Sequence, residues 1–351
     1  MKQRPTTSPR NRILKQALLC GIGLGLSISS FYAPQAQARE YRYTDSHLHY
    51  VDFLQYSQGM QALLRQMDKS KVDYAQIMGL GVVKKWQEDE PQKPQYLMAD
   101  DARVYWYSAT DELVARAVEQ LSASQRARFF PFITGFNPTD MNAVDHIERM
   151  LTWHPGLFKG IGEVLLRHDD LTALTYGETP RANNKAMDRV YSLAAKHHLP
   201  VLIHSNITSV YHPDPIYRKE LEEAVSRHPD TTFIWAHAGT SEAINREQYL
   251  KFLPSLVSEF LQRYDNLYID LSWSVLHPYI LDDKNKPRGE WLSLIRKYPQ
   301  RFTIGSDLIG YFDALGSTLE DYNPLLDALP TEVANDLARD NFLRLMGVSP
   351  R

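Results

Sequence analysis

Cysteine and excess positive charge are both scarce in this 351-residue sequence. The single cysteine, Cys20, lies in the first 38 residues, so the rest of the chain can form no disulfide scaffold, thiolate metal site or cysteine nucleophile. Those first 38 residues carry five basic groups and no acidic one, whereas the remainder holds 34 basic and 42 acidic groups, a net charge of −8. This acidic balance argues against nucleic acid or an anionic membrane surface as a partner.

The chain also lacks an apolar run long enough to cross a bilayer, which takes about 20 residues. The stretch 17–29 is shorter, follows the basic residues, and precedes Ala36-Gln37-Ala38. A basic segment, a short apolar core and an A-x-A site predict a secretory signal peptide over residues 1–38 that is cleaved after Ala38. We therefore expect a periplasmic or secreted protein that does not bind the membrane once the signal is removed.

Nucleotide-binding motifs are absent as well: no G-x-G-x-x-G follows the first strand and no Walker loop is present. Short β-rich runs instead alternate with segments of helical period at 111–121, 142–153, 184–198 and 218–227. The eight strand candidates are 43–50, 73–81, 128–135, 157–164, 199–204, 231–237, 266–272 and 301–307. This alternation predicts an α/β fold, most economically a single (β/α)8 TIM barrel over residues 39–351, with a doubly wound open sheet as the alternative.

Four connections that follow strand ends are long, namely 82–110, 165–183, 205–217 and 273–290. The first is charged and loop-like, and the others are rich in proline, aspartate and aromatic residues. In a barrel, such connections lie on the carboxyl face, where barrel enzymes build their active sites. We expect these long loops to form the walls and the lid of a pocket.

Histidine and aspartate close several strand candidates. His47 and His49 stand two apart at the end of the first candidate, which puts both imidazoles on one face of a strand. His204, His237 and Asp307 close the fifth, sixth and eighth candidates. In a barrel all five side chains lie on the rim of one cavity. Three nitrogen or oxygen ligands with an open position are what a hydrolytic zinc site requires.

With these residues in this order, the chain resembles the amidohydrolase superfamily, specifically the amidohydrolase-2 group of metal-dependent barrel hydrolases and decarboxylases. The family's metal ligands match His47 and His49 on strand 1, His204 on strand 5, His237 on strand 6 and Asp307 on strand 8. The resemblance spans about residues 43–347. It implies one or two divalent ions, with zinc as the first expectation, although nitrogen and oxygen ligands also accept manganese, iron and cobalt.

The fourth strand candidate offers Lys159 and Glu163. Some members of the family bridge two metals from this strand with a carboxylated lysine or a glutamate, and others have no ligand there. Because four residues span about 13 Å along a strand, the two side chains cannot serve the same site. Lys159 would lie deep in the barrel, whereas Glu163 is level with the other ligands. We interpret Glu163 as a metal ligand or a neighbour of the water that the metal holds; an ion pair with Arg167 is the alternative.

Other residues near strand ends are candidates for supporting roles. Asp45 shares a strand face with the first histidine and could orient its imidazole. Arg167 and His168 begin the loop after the fourth strand and could bind an anionic substrate, although a solvated loop face fits them equally well. Asn206 and Trp273 follow strand ends and are expected to line the pocket.

Together these residues predict a metal-dependent hydrolase that cleaves an amide, cyclic amide, ester or lactone bond of a small molecule. Asp307 would take the water proton and pass it to the leaving group, His237 would polarise the carbonyl or hold a second metal, and Glu163 is the third catalytic candidate. A metal-dependent decarboxylase of an aromatic or unsaturated acid is the alternative enzyme, and an inactive barrel used as a binding module is the alternative of another class. A carboxylate on strand 4 favours hydrolysis. Whether the chain forms homo-oligomers is left open.

Overall fold

The computed structural model describes residues 39–87, 89–94, 102–168 and 171–349. The predicted signal peptide, residues 1–38, lies outside these ranges, and so do parts of the long connections 82–110 and 165–183. Within the described ranges, no helix has both the length and the apolar character needed to cross a membrane.

Parallel strands form the central sheet. In chain order the strands are β1 (Tyr43–Asp45), β2 (Leu48–His49), β3 (Val72–Met78), β4 (Val82–Lys84), β5 (Val104–Trp106), β6 (Phe129–Ile133), β7 (Gly160–Leu165), β8 (Val201–His204), β9 (Phe233–Trp235), β10 (Leu267–Asp270), β11 (Phe302–Thr303) and β12 (Leu308–Ile309). All except β4 and β5 belong to one sheet, in which every pairing is parallel. Each of the eight predicted strands overlaps one or two of these segments.

The two ends of this sheet are neighbours in the chain. The strand order is β11-β10-β9-β8-β7-β6-β3-β2-β12, and β11 is followed directly by β12. Two backbone hydrogen bonds connect the residues between β11 and β12 to those between β1 and β2. The Ser46 amide donates to the Ile304 carbonyl at 3.1 Å, and the Asp307 amide donates to the His47 carbonyl at 2.7 Å. These bonds join the last strand segment to the first, and the predicted (β/α)8 barrel is confirmed.

Helices surround the barrel and alternate with its strands. They are α1 (Met60–Lys69), α2 (Ala109–Glu119), α3 (Ala123–Arg126), α4 (Ala143–Trp153), α5 (Lys185–Lys196), α6 (Arg218–Arg227), α7 (Glu242–Glu247), α8 (Leu253–Arg263), α9 (Gly289–Lys297), α10 (Leu315–Glu320), α11 (Asn323–Asp327), α12 (Thr331–Asn335) and α13 (Asn341–Leu345). Their apolar residues recur at helical spacing; in α5, for example, Met187, Val190, Tyr191 and Ala194 are all buried. The four predicted helical segments coincide with α2, α4, α5 and α6.

The barrel interior is filled by large apolar side chains, with Met78, Phe132, Leu202 and Ile234 among them, and Phe342 of α13 packs onto this cluster. The alternate residues of the same strands pack outward against the helices. Because the interior is packed solid, as in other TIM barrels, the polar chemistry is confined to the carboxyl ends of the strands.

The 82–110 connection is more regular than its charged composition suggested. Its two ends form the antiparallel hairpin β4–β5, in which Val82 pairs with Trp106 and Lys84 pairs with Val104. The prediction of a wholly loop-like segment was therefore wrong at both ends. The charged residues between the two strands dominate the composition of this connection, so composition alone does not reveal the short β-branched and aromatic runs that pair.

Candidate active site and metal centre

Four histidines and two carboxylates converge at the carboxyl end of the barrel, and we call this group the metal centre. Its members are His47, His49, Glu163, His204, His237 and Asp307, all of which the sequence predicted as metal ligands. Nε2 of His49 lies 3.4 Å from Oε2 of Glu163 and 3.4 Å from Oδ1 of Asp307. Nε2 of His47 lies 3.3 Å from the same Asp307 oxygen and 3.7 Å from the same Glu163 oxygen.

Glu163 lies between two sets of imidazoles. Its Oε2 faces His47 and His49, whereas its Oε1 lies 3.0 Å from Nδ1 of His204 and 3.5 Å from Nε2 of His237. The alternative ion pair of Glu163 with Arg167 is wrong, because that guanidinium pairs with Glu220 on α6 at 2.6 Å. Lys159 is exposed just before β7 rather than deep in the barrel, so Glu163 is the side chain that strand 4 brings to the centre.

The backbone before Glu163 is placed by a close approach of two strands. Gly162 has φ 118°, and a Cβ there would lie 2.1 Å from the carbonyl oxygen of Leu202, so only glycine fits. The Glu163 carbonyl accepts a hydrogen bond from the Thr134 hydroxyl at 2.5 Å. Asp111 of α2 in turn accepts from the Thr134 amide at 2.9 Å. This buried network fixes the carboxylate between the two sets of histidines.

Each imidazole of the metal centre has its other ring nitrogen on an acceptor. His47 Nδ1 donates to Asp270 Oδ2 at 2.8 Å, His49 Nδ1 to the Gly79 carbonyl at 2.7 Å, His237 Nδ1 to the Ser272 carbonyl at 3.1 Å, and His204 Nε2 to Asn206 Oδ1 at 3.0 Å. An imidazole that donates from one nitrogen keeps a lone pair on the other. The remaining nitrogen of each of the four rings faces the two carboxylates and can bind a metal once it carries no proton.

Asp270 is a site residue that the sequence analysis missed. Besides His47, its carboxylate accepts from the Ser272 hydroxyl at 2.5 Å and the Ser272 amide at 3.0 Å. It closes β10 in the run LYID, much as Asp307 closes FTIGSD, and that parallel was the available signal. Asp45, predicted to orient the His47 imidazole, does not do so. Because the chain leaves the strand between β1 and β2, its carboxylate accepts instead from the Ser306 hydroxyl at 2.6 Å.

Burial and mutual charge shift the pKa values of this centre in opposite directions. Burial alone lowers the pKa of His49, but hydrogen bonds with Asp307 and Glu163 outweigh it and raise the pKa to about 9. The same two carboxylates raise the pKa of His47 well above its ordinary value despite its burial. Burial acts to raise the pKa of Glu163, yet the charge on His47 holds it well below its usual range, and the pKa of Asp307 is likewise lowered. In the absence of metal, His47 and His49 therefore carry protons that a cation must displace.

The donor set fits a divalent metal. Nε2 of His47 is buried and, among the residues that the structure describes, has no hydrogen-bond partner. The ligand atoms of His47, His49 and Glu163 lie within 4.8 Å of one another, and so do those of Glu163, His204 and His237. Neutral imidazoles together with carboxylates are a ligand set of hydrolytic metal sites.

Three side chains over the centre belong to residues with left-handed backbone conformation. His237, Trp273 and Asp307 have φ values of 53°, 52° and 52°. Such values are uncommon for residues other than glycine, cost about 1–3 kcal/mol each, and are concentrated at functional sites. Each residue follows the end of a strand, where the turn redirects its side chain over the cavity.

A cavity of about 330 Å³ opens above the metal centre. It is lined by His49, Phe53, Leu80, Glu163, Leu165, His168, Leu171, His204, His237, Glu242, Trp273, Asp307 and Ile309. His168 stacks on the His204 ring at 4.0 Å, and Trp273 meets the His237 ring edge-on at 5.1 Å, so these two predicted pocket residues lie where the sequence placed them.

The other two predicted substrate-binding residues lie behind the cavity wall. Asn206 is buried and holds His204, as described above, so it orients a metal ligand. Arg167 is occupied by its ion pair with Glu220 and stacks on the Tyr217 ring at 4.1 Å. A residue that follows a strand end by two positions can turn back into the protein, and the sequence alone does not tell which way it points.

The comparison with protein families identifies the relationship of this chain. The sequence matches the family described as amidohydrolase over residues 44–346. The chain belongs to the amidohydrolase family. No curated protein matches its sequence.

Solved structures share the barrel of this amidohydrolase at low sequence identity. A zinc-bound amidohydrolase from Burkholderia multivorans is 15% identical with a TM-score of 0.53, over 88% of this chain and 99% of that chain. Dihydroorotase from Campylobacter jejuni is 16% identical with a TM-score of 0.51, over 88% and 84%. A protein described as a probable 2-pyrone-4,6-dicarboxylic acid hydrolase from Acinetobacter baumannii, with citric acid bound, is 10% identical with a TM-score of 0.53, over 87% and 99%. At these identities the likeness shows the fold alone.

Family membership and the ligand set together define the chemistry of the site at a coarse level. The matched segment covers the barrel from the second residue of β1 onward and includes every member of the metal centre. This amidohydrolase is a metal-dependent, hydrolase-like enzyme that uses a divalent cation.

Proposed function

We propose that this amidohydrolase uses two divalent ions, zinc in the simplest case, to cleave an amide, cyclic amide, ester or lactone bond of a small molecule. The observation that carries the proposal is the position of Glu163, whose two oxygens face different pairs of histidines. His47, His49 and Asp307 would hold one ion, His204 and His237 the other, and Glu163 would be shared between them. Because the first set has one more protein donor, we expect it to bind more tightly.

When bound, the metals supply Lewis acidity toward the attacking water and the bond under attack. Asp307 is the residue that moves the proton. Its side chain is 11% exposed on the cavity wall, against 4% for Glu163, and an aspartate carboxyl is ionised at neutral pH. It accepts a proton from the water and returns it to the leaving group as a general acid.

The residues around Asp307 orient the substrate and exclude bulk water. Phe53, Leu80 and Ile309 form apolar walls of the cavity, and Trp273 covers the ring of His237. A cavity of about 330 Å³ suits a small molecule rather than a polymer chain threaded through the site.

Metal content separates this proposal from its alternatives. We expect up to two metals per chain in the wild type, and Glu163→Gln should bind fewer and lose at least about 100-fold in turnover, because it removes the shared charge. Glu148→Gln, on the outer face of α4, is the matched control and should change neither quantity. If Glu163→Gln leaves stoichiometry and turnover unchanged, Glu163 is not part of the site. A wild type that turns over aromatic acids, but no amide, ester or lactone, would support the decarboxylase.

We also propose that the enzyme acts outside the cytoplasm, on the support of the N-terminal sequence alone. Protein recovered from the periplasm or medium of its native host should begin at Arg39. A mature pool that retains Met1 would contradict export.

A further inference from the structure

Among the described residues, the cavity wall above the metal centre contains a carboxylate and no lysine or arginine. Five aliphatic and aromatic side chains form most of it: Phe53, Leu80, Leu165, Leu171 and Ile309. No arginine or lysine is among the described residues that line this cavity. Apart from the metal centre, Glu242 is the acidic side chain on its wall.

Glu242 is partly buried and is not used by the protein itself. It is the first residue of α7, whose N-terminus is already capped by the Ser241 hydroxyl, which accepts from the Ile244 amide. Within the described part of the chain, its carboxylate has no hydrogen-bond or ion-pair partner, unlike Glu220 and Glu222 on α6, which pair with arginines. A partly desolvated carboxylate beside apolar walls gains most from a ligand that brings a positive charge.

Cations near this wall have other contacts, and the buried Lys84 ammonium lies 4.9 Å over the ring of Phe53. Arg167 is held by Glu220 behind it, as described above. Lys93 lines a neighbouring cleft that shares Phe53, Asp307 and Ile309 with the cavity, and it pairs there with Asp52 at 3.5 Å. Among the described residues that line the cavity itself, Glu242 is thus available to a positive group, whereas a substrate carboxylate meets no arginine or lysine there.

We infer that Glu242 selects substrates that combine a compact apolar body with a cationic group, such as a primary ammonium. This inference rests on the proposed hydrolase function and names its substrate class. The apolar body packs against the aliphatic wall and Trp273, which directs the reactive bond toward Asp307. The cationic group donates hydrogen bonds to Glu242, and repulsion by the metals keeps it away from the floor of the cavity. Glu242 is thus a specificity-determining residue, and anionic substrates such as dicarboxylic acids are disfavoured.

Binding to the metal-loaded enzyme tests this directly with three probes of similar size and different charge: benzylamine, benzyl alcohol and benzoate. Calorimetry should show that Glu242→Gln weakens benzylamine binding about tenfold, the loss of one charged hydrogen bond, and leaves benzyl alcohol within about twofold. Glu247→Gln, exposed at the other end of α7, is the matched control and should bind all three probes as the wild type does. Equal benzylamine affinity in Glu242→Gln and wild type would overturn the inference, and so would benzoate binding more tightly than benzylamine to the wild type.

Turnover of three related anilides that differ in charge separates this inference from the hydrolase proposal. Alanine p-nitroanilide carries an ammonium, its N-acetyl derivative is neutral, and its N-succinyl derivative is anionic. Glu242→Gln should raise KM for the first about tenfold with little change in kcat, and should leave the N-acetyl compound unaffected. If charge-dependent binding is observed but no amide, ester or lactone is cleaved, the hydrolase proposal fails and the charge selectivity stands. If these bonds are cleaved at rates that do not depend on substrate charge, the charge selectivity fails and the hydrolase proposal stands.

Discussion

The histidines of the metal centre and His154 both meet carboxylates in this amidohydrolase, but they differ in what is left for a ligand. In the metal centre, each ring has one nitrogen on an acceptor and the other directed at Glu163 or Asp307. His154, which follows α4 on the outside of the barrel, donates from Nδ1 to Glu119 at 2.7 Å and from Nε2 to Glu112 at 2.8 Å. Both ring nitrogens of His154 are thus held by hydrogen bonds to neighbouring glutamates.

The difference teaches that carboxylates near an imidazole do not by themselves indicate a metal site. His154 pairs with two side chains of a single helix, α2, whereas the ligands of the metal centre arrive from separate strands at the same end of the barrel. Convergence from several strands leaves a shared space between the donors. The hydrogen bonds of His154 to α2 instead occupy both of its ring nitrogens.

The strongest test of the metal centre is Asp307→Asn. The variant keeps the shape and one oxygen ligand but removes the basic oxygen, so kcat should fall about 10²–10⁴-fold, the usual contribution of general acid–base catalysis. His47, His49 and Glu163 should still retain the first metal, and the loss should persist when metal is supplied in excess. Recovery of near wild-type turnover on adding metal would show that Asp307 is only a ligand and that His237 or Glu163 moves the proton.

A smaller effect is expected from Asp270→Asn, which tests whether the outward hydrogen bond makes His47 a ligand. An amide can present its NH₂ to Nδ1 and so favour the wrong tautomer, and loss of such an orienting partner typically weakens metal binding about 10–100-fold. The matched control is Asp188→Asn, which removes the carboxylate that accepts from His228 on the outside of the barrel. Competition with a chelator should show weaker metal binding in the first variant and unchanged binding in the second; equal metal affinity in both would contradict the role of Asp270.

The smallest effect concerns His154, whose pKa is raised because its two glutamate partners outweigh the effect of burial. A raised pKa of a base means that the paired state stabilises the fold below about pH 6.5, the pKa of an unfolded histidine, and that this contribution is lost as the pH rises through the folded pKa. His154→Gln should therefore reduce the free energy of unfolding by about 1 kcal/mol or less at pH 6, and by less at pH 9. Thermal melts at both pH values measure this. A larger deficit at pH 9, or any change in metal content, would contradict it.

The sequence by itself determined the barrel and the positions of the metal ligands. Both follow from local patterns: apolar runs of strand length alternate with helical periods, and His47, His49, His204, His237 and Asp307 close such runs. Parallel strands in a barrel end on the same face, so residues at strand ends are brought together whatever the intervening helices do. The argument from length at strand 4, where four residues span about 13 Å, also favoured Glu163 over Lys159.

Only the tertiary structure decided which way each supporting side chain points. Asp270 reaches His47 across the barrel, Asn206 turns back onto His204, and Arg167 is taken by Glu220 on a neighbouring helix. These partners are 223, 2 and 53 residues apart in the chain, so no single spacing rule finds them. The placement of Glu163 between two pairs of histidines has the same origin, because it depends on the close approach of β7 to β8 at Gly162. Strand periodicity fixes the end of the barrel on which a residue lies, whereas side-chain direction is set by packing against neighbours distant in sequence.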